Sequence, residues 1–394
     1  MFTKKYIKLV NRTFFCIFAK KYKMIIRDLT SKLKDKLHKG KVLVLIGPRQ
    51  VGKTTLINAL LADAAYLFLD GDDNTVTETL SYANTETLKS IIGNYKYVFI
   101  DEVQRIPNIG LKLKIISDQI KDVQVIVSGS SAFDINNLTQ EPLTGRKFEY
   151  QLFPISWNEF EQNVGYIKAQ QQLDLRLLYG MYPDVINNFG NEYEILKNLV
   201  SSYLYKDILS LAGIRKSEVL EKILQALAMQ IGNEVSYNEV AQLVGVDKNT
   251  VNNYIDLLEK SFVIFRLNSF SKNLRNEIKA NKKIYFYDNG VRNMIIGNFN
   301  TLEFRQDKGA LWENFMVSER MKLLSYSQSL AKPYFWRTTQ QQEIDYVEIE
   351  ADSVSAFEFK WSSIKKVKLP KSFKEAYHPS FLVVNRENFR EFLK

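Results

Sequence analysis

The sequence predicts an α/β chain of several domains, opening on a parallel sheet and closing on a second, smaller α/β part. Three observations carry that expectation. The aliphatic run "VLVLI", residues 42–46, ends in a glycine-bounded loop and resumes as the helix-like "TTLINALLADA", the strand, loop and helix order of a βαβ unit. Two later apolar runs, "YVFIDE" and "VQVIVSGSS", also end in polar residues, as buried parallel strands do at their carboxyl edge. And 394 residues exceed what one hydrophobic core usually organises.

Composition narrows the chemistry. With 45% hydrophobic and 25% charged residues the chain reads as globular, and no stretch approaches the roughly 18 to 20 consecutive apolar residues of a membrane span. A single cysteine, Cys16, excludes disulfides and Cys-rich metal sites and suits a reducing cytoplasm. His38 and His378 are the only histidines, so carboxylates, lysines, hydroxyls and a hard cation are left to carry any reaction. The net charge of +10 is uneven: residues 1–41 hold 13 Lys and Arg against Asp28 and Asp35, leaving 41 basic and 42 acidic residues after Lys41. The body is therefore nearly neutral. Residues 1–23 read as a basic extension with Met24 as the natural start, the alternative being a basic binding arm or a membrane-surface helix.

Gly47-Pro48-Arg49-Gln50-Val51-Gly52-Lys53-Thr54 fits G-x-x-x-x-G-K-[ST] between a buried strand and a helix. Glycines let the backbone wrap phosphates, Lys53 reaches the β- and γ-groups, Thr54 offers a hydroxyl to Mg²⁺, and Thr55 continues the helix start that favours an anion. ATP and Mg²⁺ are the expected ligands, bound by residues 47–55. "YKYVFIDEVQRIP" ends in Asp101-Glu102. There Asp101 would join Thr54 in the Mg²⁺ shell, and Glu102 would orient or deprotonate the attacking water. In "VSGSSAFDI", Ser128, Ser130 or Ser131 is a candidate sensor of the γ-phosphate, with plain turn chemistry as the alternative. Arg146, after a Thr-Gly turn, is a candidate arginine finger for its own chain or a neighbour, or else a surface residue.

Taken together, "GPRQVGKTT", "VFIDEVQRIP", "VSGSSAFDI", "LTGRKFEYQLFPISWNEF" and "YGMYPDVI" resemble the prokaryotic AAA-superfamily ATPases that carry a C-terminal domain of unknown function related to restriction-endonuclease-like folds. The resemblance runs from about Met24 to the C-terminus. It implies that Gly180-x-Tyr182-Pro183 belongs to a helical lid beside the nucleotide, where sequence physics alone sees a helix break.

Residues 157–215 have apolar residues at three- and four-residue spacing, and a helical lid is the natural assignment. Residues 217–270 read as three helices, "SEVLEKILQALAMQIG", "SYNEVAQLVG" and "VDKNTVNNYIDLLEK", followed by the strand "FVIFRLNSF", a helix-turn-helix with a wing. Asp247 would cap the third helix, with Lys248, Asn249, Thr250 and Asn253 facing outward at its start. Such a module contacts DNA or packs against protein. The strip "RLNSFSKNLRNEIKANKK", six basic residues against Glu277, suits phosphate contact or a solvated wing.

Toward the C-terminus, "GALWENFMVSERMKLL" reads as a helix bearing Glu313, and two alternating runs flank the turn "EADS" as in a β-hairpin. Asp345 lies in its first strand. Glu358 and Lys360 leave the same face of the second. The order Glu313, Asp345, Glu358-x-Lys360 resembles the PD-(D/E)xK nuclease core, in which carboxylates gather Mg²⁺ or Mn²⁺ and the lysine steadies a hydroxide. Ile344 stands where the family name has proline. The alternative is an inactive scaffold of the same architecture. "KWSSIKKVKLPKSFK", six lysines and no acid, would complement a nucleic-acid backbone.

The expected organisation is thus a basic extension (1–23), a P-loop NTPase core of AAA type (24–165), a helical lid (166–216), a winged helix (217–290) and a restriction-endonuclease-like α/β domain (291–394). The expected protein is a cytoplasmic Mg²⁺-dependent ATPase acting on or with double-stranded DNA, without a membrane span and assembling as a homo-oligomer. The alternative is a nucleotide-dependent switch or scaffold that binds only protein partners.

Overall fold

Val42–Ile46 form strand β1, and all five side chains are buried. β2 (Leu67–Asp70), β3 (Tyr97–Asp101), β4 (Gln124–Gly129) and β5 (Lys147–Gln151) join it in one sheet of order β2-β3-β4-β1-β5, every pairing parallel. Parallel strands need cover on both faces, which is why β1 and β4 are buried without alternation. Helices Lys53–Leu60, Asn74–Tyr82, Thr85–Ile92 and Ile109–Gln119 make the crossovers. Their starts are chemically marked: Asp73 accepts from Thr75 N, and Asn84 from Thr87 N.

This computed structural model describes residues 24–130, 142–204, 217–271, 282–362 and 367–394. The basic extension 1–23, Ser131, most of the strip 266–283 and part of the lysine run 360–374 lie outside them. The chain divides into two units, one ending at Ile155 and one starting at Ser156. Ser156 and Glu159 form a reciprocal capping box that starts helix Trp157–Val164.

In the second unit, helices Trp157–Val164, Tyr166–Gln171, Leu173–Tyr179, Pro183–Asn187 and Glu192–Asn198 come first. Helices Ser217–Met229, Tyr237–Val244 and Lys248–Lys260 follow, with strands β6 (Glu234–Val235), β7 (Ile264–Ser269) and β8 (Lys282–Phe286). Helix Asn289–Ile295 leads to the 20-residue helix Lys308–Ser327. β9 (Lys332–Arg337), β10 (Glu343–Glu350), β11 (Ser353–Phe359) and β12 (Ser380–Val384) complete a seven-stranded sheet of order β12-β11-β10-β9-β7-β8-β6. β10 and β11 form the hairpin expected around "EADS", with Glu350 opposite Ser353. β7 meets β9 in parallel at only two pairs, Asn268 with Tyr334 and Ser269 with Phe335. The core beside β10 gathers Trp336, Ile344, Val347, Ala356 and Phe373.

The helices expected as a lid make close contacts within this second unit. Asn293 Nδ2 donates to Leu177 O and Leu178 O at 3.3 and 2.8 Å, and Met181 N donates to Asp288 Oδ2 at 2.6 Å. Gly180 is required there: at φ 75° a Cβ would lie 2.0 Å from Asp288 Oδ1, while one on Gly290 would lie 2.1 Å from Tyr179 O. The "YGMYP" and "YDNG" turns therefore interlock, and Gly180-x-Tyr182-Pro183 seats a buried aspartate. Burial raises the Asp288 carboxyl above its ordinary range, against the pull of backbone donors including Met181 N. Among the described residues no helix is long and apolar enough to cross a membrane.

Candidate functional site

The loop after β1 is shaped by close approach and by left-handed backbone. A Cβ on Gly47 would meet Leu152 O at 2.1 Å, so only glycine lets the chain leave β1 beside the segment that follows β5. Gln50 and Gly52 have φ of 61° and 93°, which turns successive backbone groups inward as an anion-binding nest ahead of helix Lys53–Leu60. Lys53 Nζ lies across this concavity and donates to Gly47 O and Pro48 O, both at 2.9 Å. Val51 is buried; Arg49 is partly so, and Gln50 and Thr55 are exposed. Arg27 supports the loop from behind, donating to Val51 O at 2.7 Å and Phe153 O at 2.6 Å.

The parallel register brings the strand ends to the same edge. Thr54 Oγ1 donates to Asp101 Oδ2 at 2.6 Å, and the buried Ser128 hydroxyl donates to Asp101 Oδ1. Hydroxyl and carboxylate are thus adjacent, the donor set that a hard cation beside phosphate takes. Glu102 follows in left-handed backbone at φ 45°, a conformation that non-glycine residues adopt where the surroundings enforce it. Its Oε2 accepts from Gln104 Nε2 at 2.5 Å and from Ser130 Oγ at 3.3 Å, and Gln104 Nε2 also reaches Ser130 Oγ at 3.2 Å. Gln104 Oε1 is buried without a hydrogen-bond partner.

Ser130 therefore sits with the acids, as does Ser128. Gln104 and Arg27 went unread in the sequence: Gln104 lies in a plain turn after the acidic pair, and Arg27 was counted with the basic N-terminal segment. Arg146 does not join them. It precedes β5, pairs its carbonyl with Val42 N at the amino end of β1, and donates through Nε to Asp118 at 2.7 Å on the surface. In a parallel sheet that is the edge opposite the loop, so Arg146 cannot reach a γ-phosphate bound by its own chain.

In the second unit the sequence set comes together, with company. Glu313 projects from helix Lys308–Ser327, Asp345 from β10 and Glu358 from β11. Lys360 Nζ lies 2.7 Å from Glu358 Oε1 and 3.8 Å from Asp345 Oδ2, whose carboxylate also accepts from Phe359 N at 2.8 Å. Lys283 was expected in a basic strip for phosphates; instead its side chain is 1% exposed. Its Nζ is 3.1 Å from Glu313 Oε1, 2.7 Å from Glu343 Oε1 and 5.5 Å from the Phe335 ring centre. Tyr285 OH donates to Glu313 Oε1 at 2.6 Å. A lysine amid the apolar run "KKIYFYD" is the signal that could have revealed this, because a buried ammonium demands acids.

The electrostatics follow from this crowding. Burial lifts the Glu313 carboxyl to about 7, Lys283 pulls it down and Asp345 pushes it up. Burial and Asp345 also raise Glu358. Burial alone would lower Lys283 and Lys360, yet the neighbouring carboxylates outweigh it and raise both. Among the described residues no group of three or more His, Cys, Asp or Glu side chains is placed to hold a metal ion.

The first sheet, its loop and its acidic pair define a P-loop ATPase fold. Comparison with known proteins agrees: residues 39–161 match the family model described as AAA domain. Residues 170–302 and 308–393 match two models described as domains of unknown function, DUF8612 and DUF4143. An uncharacterized protein of Mycobacterium tuberculosis is 26% identical over 346 residues, covering 86% of this chain and 75% of that one. One from Methanocaldococcus jannaschii is 24% identical over 325 residues, covering 76% and 70%. Among solved structures the Walker-type ATPase of Pyrococcus abyssi aligns with a TM-score of 0.51 at 16% identity, over 69% of this chain and 96% of its own. The first unit thus carries an AAA-type, P-loop ATPase domain.

Proposed function

We propose that the protein is a cytoplasmic Mg²⁺-dependent ATPase whose second unit acts on or with double-stranded DNA, hydrolysis driving or gating that action. The observation that carries the ATPase part is the placement of Thr54 and Asp101 beside Glu102, with Gln104 and Ser130 gripping the glutamate. The loop backbone and Lys53 bind the phosphates of ATP. Thr54 and Asp101 would hold Mg²⁺, which when bound neutralises charge on the β- and γ-oxygens. Glu102 takes the proton of the attacking water. Gln104 Oε1, buried and unpaired beside the same carboxylate, accepts the water's second hydrogen and fixes its direction. Arg146 contributes only across a homo-oligomeric interface, to a neighbour's γ-phosphate.

Glu102→Gln tests this assignment. It keeps the side chain's shape and removes the base, so turnover should fall about 100-fold or more while binding of a fluorescent ATP analogue persists. Turnover at the wild-type rate would remove Glu102 from the role.

For the second unit, the helices Tyr237–Val244 and Lys248–Lys260 with β7 and β8 support a winged-helix reading. Asp247 caps the third helix at Thr250 N, and Lys248, Asn249 and Asn253 are exposed at its start. The sheet β9 to β12 with helix Lys308–Ser327 supports a restriction-endonuclease-like reading. A second function, a nucleotide-dependent switch or scaffold, is favoured by one observation: the carboxylates Glu313, Glu343, Asp345 and Glu358 each face a lysine.

A further inference from the structure

The set Glu313, Asp345, Glu358 and Lys360 implies a divalent cation if the second unit is nuclease-like, and the residues present do not fit one. Glu313 Oε1 already receives two donors, Lys283 Nζ and Tyr285 OH. Asp345 Oδ2 receives Phe359 N and faces Lys360, and Glu358 Oε1 is bonded to Lys360. Lys283 approaches the cluster from β8, outside the helix and strands that supply the acids. Its ammonium touches Glu313 and Glu343, lies over Phe335 and is almost wholly buried. A compact cation thus sits between the helix glutamate Glu313 and the β10 glutamate Glu343.

We propose that Lys283, on Glu313 and Glu343, together with Lys360, on Asp345 and Glu358, supplies the built-in cationic charge of this cluster in place of a divalent metal, so that the second unit holds no metal there and cleaves no phosphodiester. The inference rests on the nuclease-like reading of the fold and opposes nuclease activity. Its positive role is structural: one ammonium ties β8 to the helix and strand that follow it in the chain.

The test uses the full chain, stripped of nucleotide and metal, with Mn²⁺ as the probe and free Mn²⁺ followed by electron paramagnetic resonance. Wild type and Asp345→Asn should take up the same amount of Mn²⁺. Lys283→Met, which keeps the length and removes the charge, should melt at lower temperature and gain one Mn²⁺ that the double variant with Asp345→Asn loses. Mn²⁺ binding by wild type that Asp345→Asn abolishes, or Mn²⁺-dependent nicking of supercoiled DNA with the same sensitivity, would overturn the blocking role and needs no Lys283 variant. A folded Lys283→Met that gains no Mn²⁺ would overturn the proposal differently, by removing the nuclease-like reading beneath it.

Discussion

The Glu313 carboxyl offers a quantitative check on the second unit. Burial is the largest influence on it and carries it from an ordinary 4.5 to about 7, with Lys283 opposing and Asp345 assisting. A carboxyl raised on folding contributes stability that is fully present below about 4.5 and lost as pH rises through about 7. At 1.36 kcal/mol per unit, the loss attributable to Glu313 is about 3 kcal/mol. Glu313→Gln keeps an Oε1 that accepts from Lys283 and Tyr285 but cannot ionise. Urea denaturation of the full chain, wild type against variant, should give closely similar stabilities near pH 4.5. At pH 8 the variant should be more stable by up to about 3 kcal/mol, since a neutral isostere avoids the desolvation of a buried charge. A variant that is instead weaker than wild type at pH 8, and less so at pH 4.5, would mean that Lys283 more than offsets the burial and would refute the reasoning.

Two further expectations concern the same unit. Gly180→Ala forces a Cβ to 2.0 Å from the buried Asp288 carboxylate and a left-handed φ on alanine, so stability should drop by about 2 to 4 kcal/mol, measured as a lowered urea midpoint; an unchanged midpoint would mean that the two turns do not interlock. If the third helix of the winged-helix reading contacts duplex DNA, Lys248→Ala should weaken binding and lower the slope of log K against log salt by about 1. A titration in which wild type shows no salt-dependent duplex affinity would move the switch or scaffold reading to first place.

What the sequence disclosed depended on how locally the information was written. The phosphate loop is one continuous stretch, so its spacing, its preceding strand and its following helix could be read together, and Asp101 and Glu102 announced themselves as acids ending an apolar run. Partners distant along the chain could not be read this way. Gly180 and Asp288 are 108 positions apart, and neither turn names the other, so the sequence could not pair them. The sequence left the role of Arg146 open between its own chain, a neighbour and the surface, because a Thr-Gly turn before a strand says nothing about which end of the sheet it occupies; the parallel register of β5 on β1 gives that end. Lys283 was tallied among basic residues of a strip, although charge counting cannot distinguish a solvated lysine from a buried one.

The buried lysine also explains how the second unit's sheet can hold together at the narrow joint between β7 and β9. β7 and β9 share two residue pairs, and Phe270 N adds a hydrogen bond to Phe335 O at 2.6 Å. A few backbone hydrogen bonds, each worth about 1 kcal/mol net, are a weak joint for a seven-stranded sheet. Side chains span the same joint: Lys283 on β8 reaches Glu343 on β10, and Arg337 on β9 lies 4.0 Å from Glu234 on β6 and 3.8 Å from Glu343. Phe270 packs against Tyr334, Phe373 and Tyr377 on the far side. Glu313→Gln leaves Lys283 its second partner Glu343, whereas removing the lysine takes away the charge that Glu313 and Glu343 share and leaves the two acids facing each other. Lys283→Met therefore exposes these carboxylates to one another at the seam where the backbone can least resist, so the lowered melting temperature and the gained Mn²⁺ have one origin: acids that lack their tethered cation separate from one another or accept a free one.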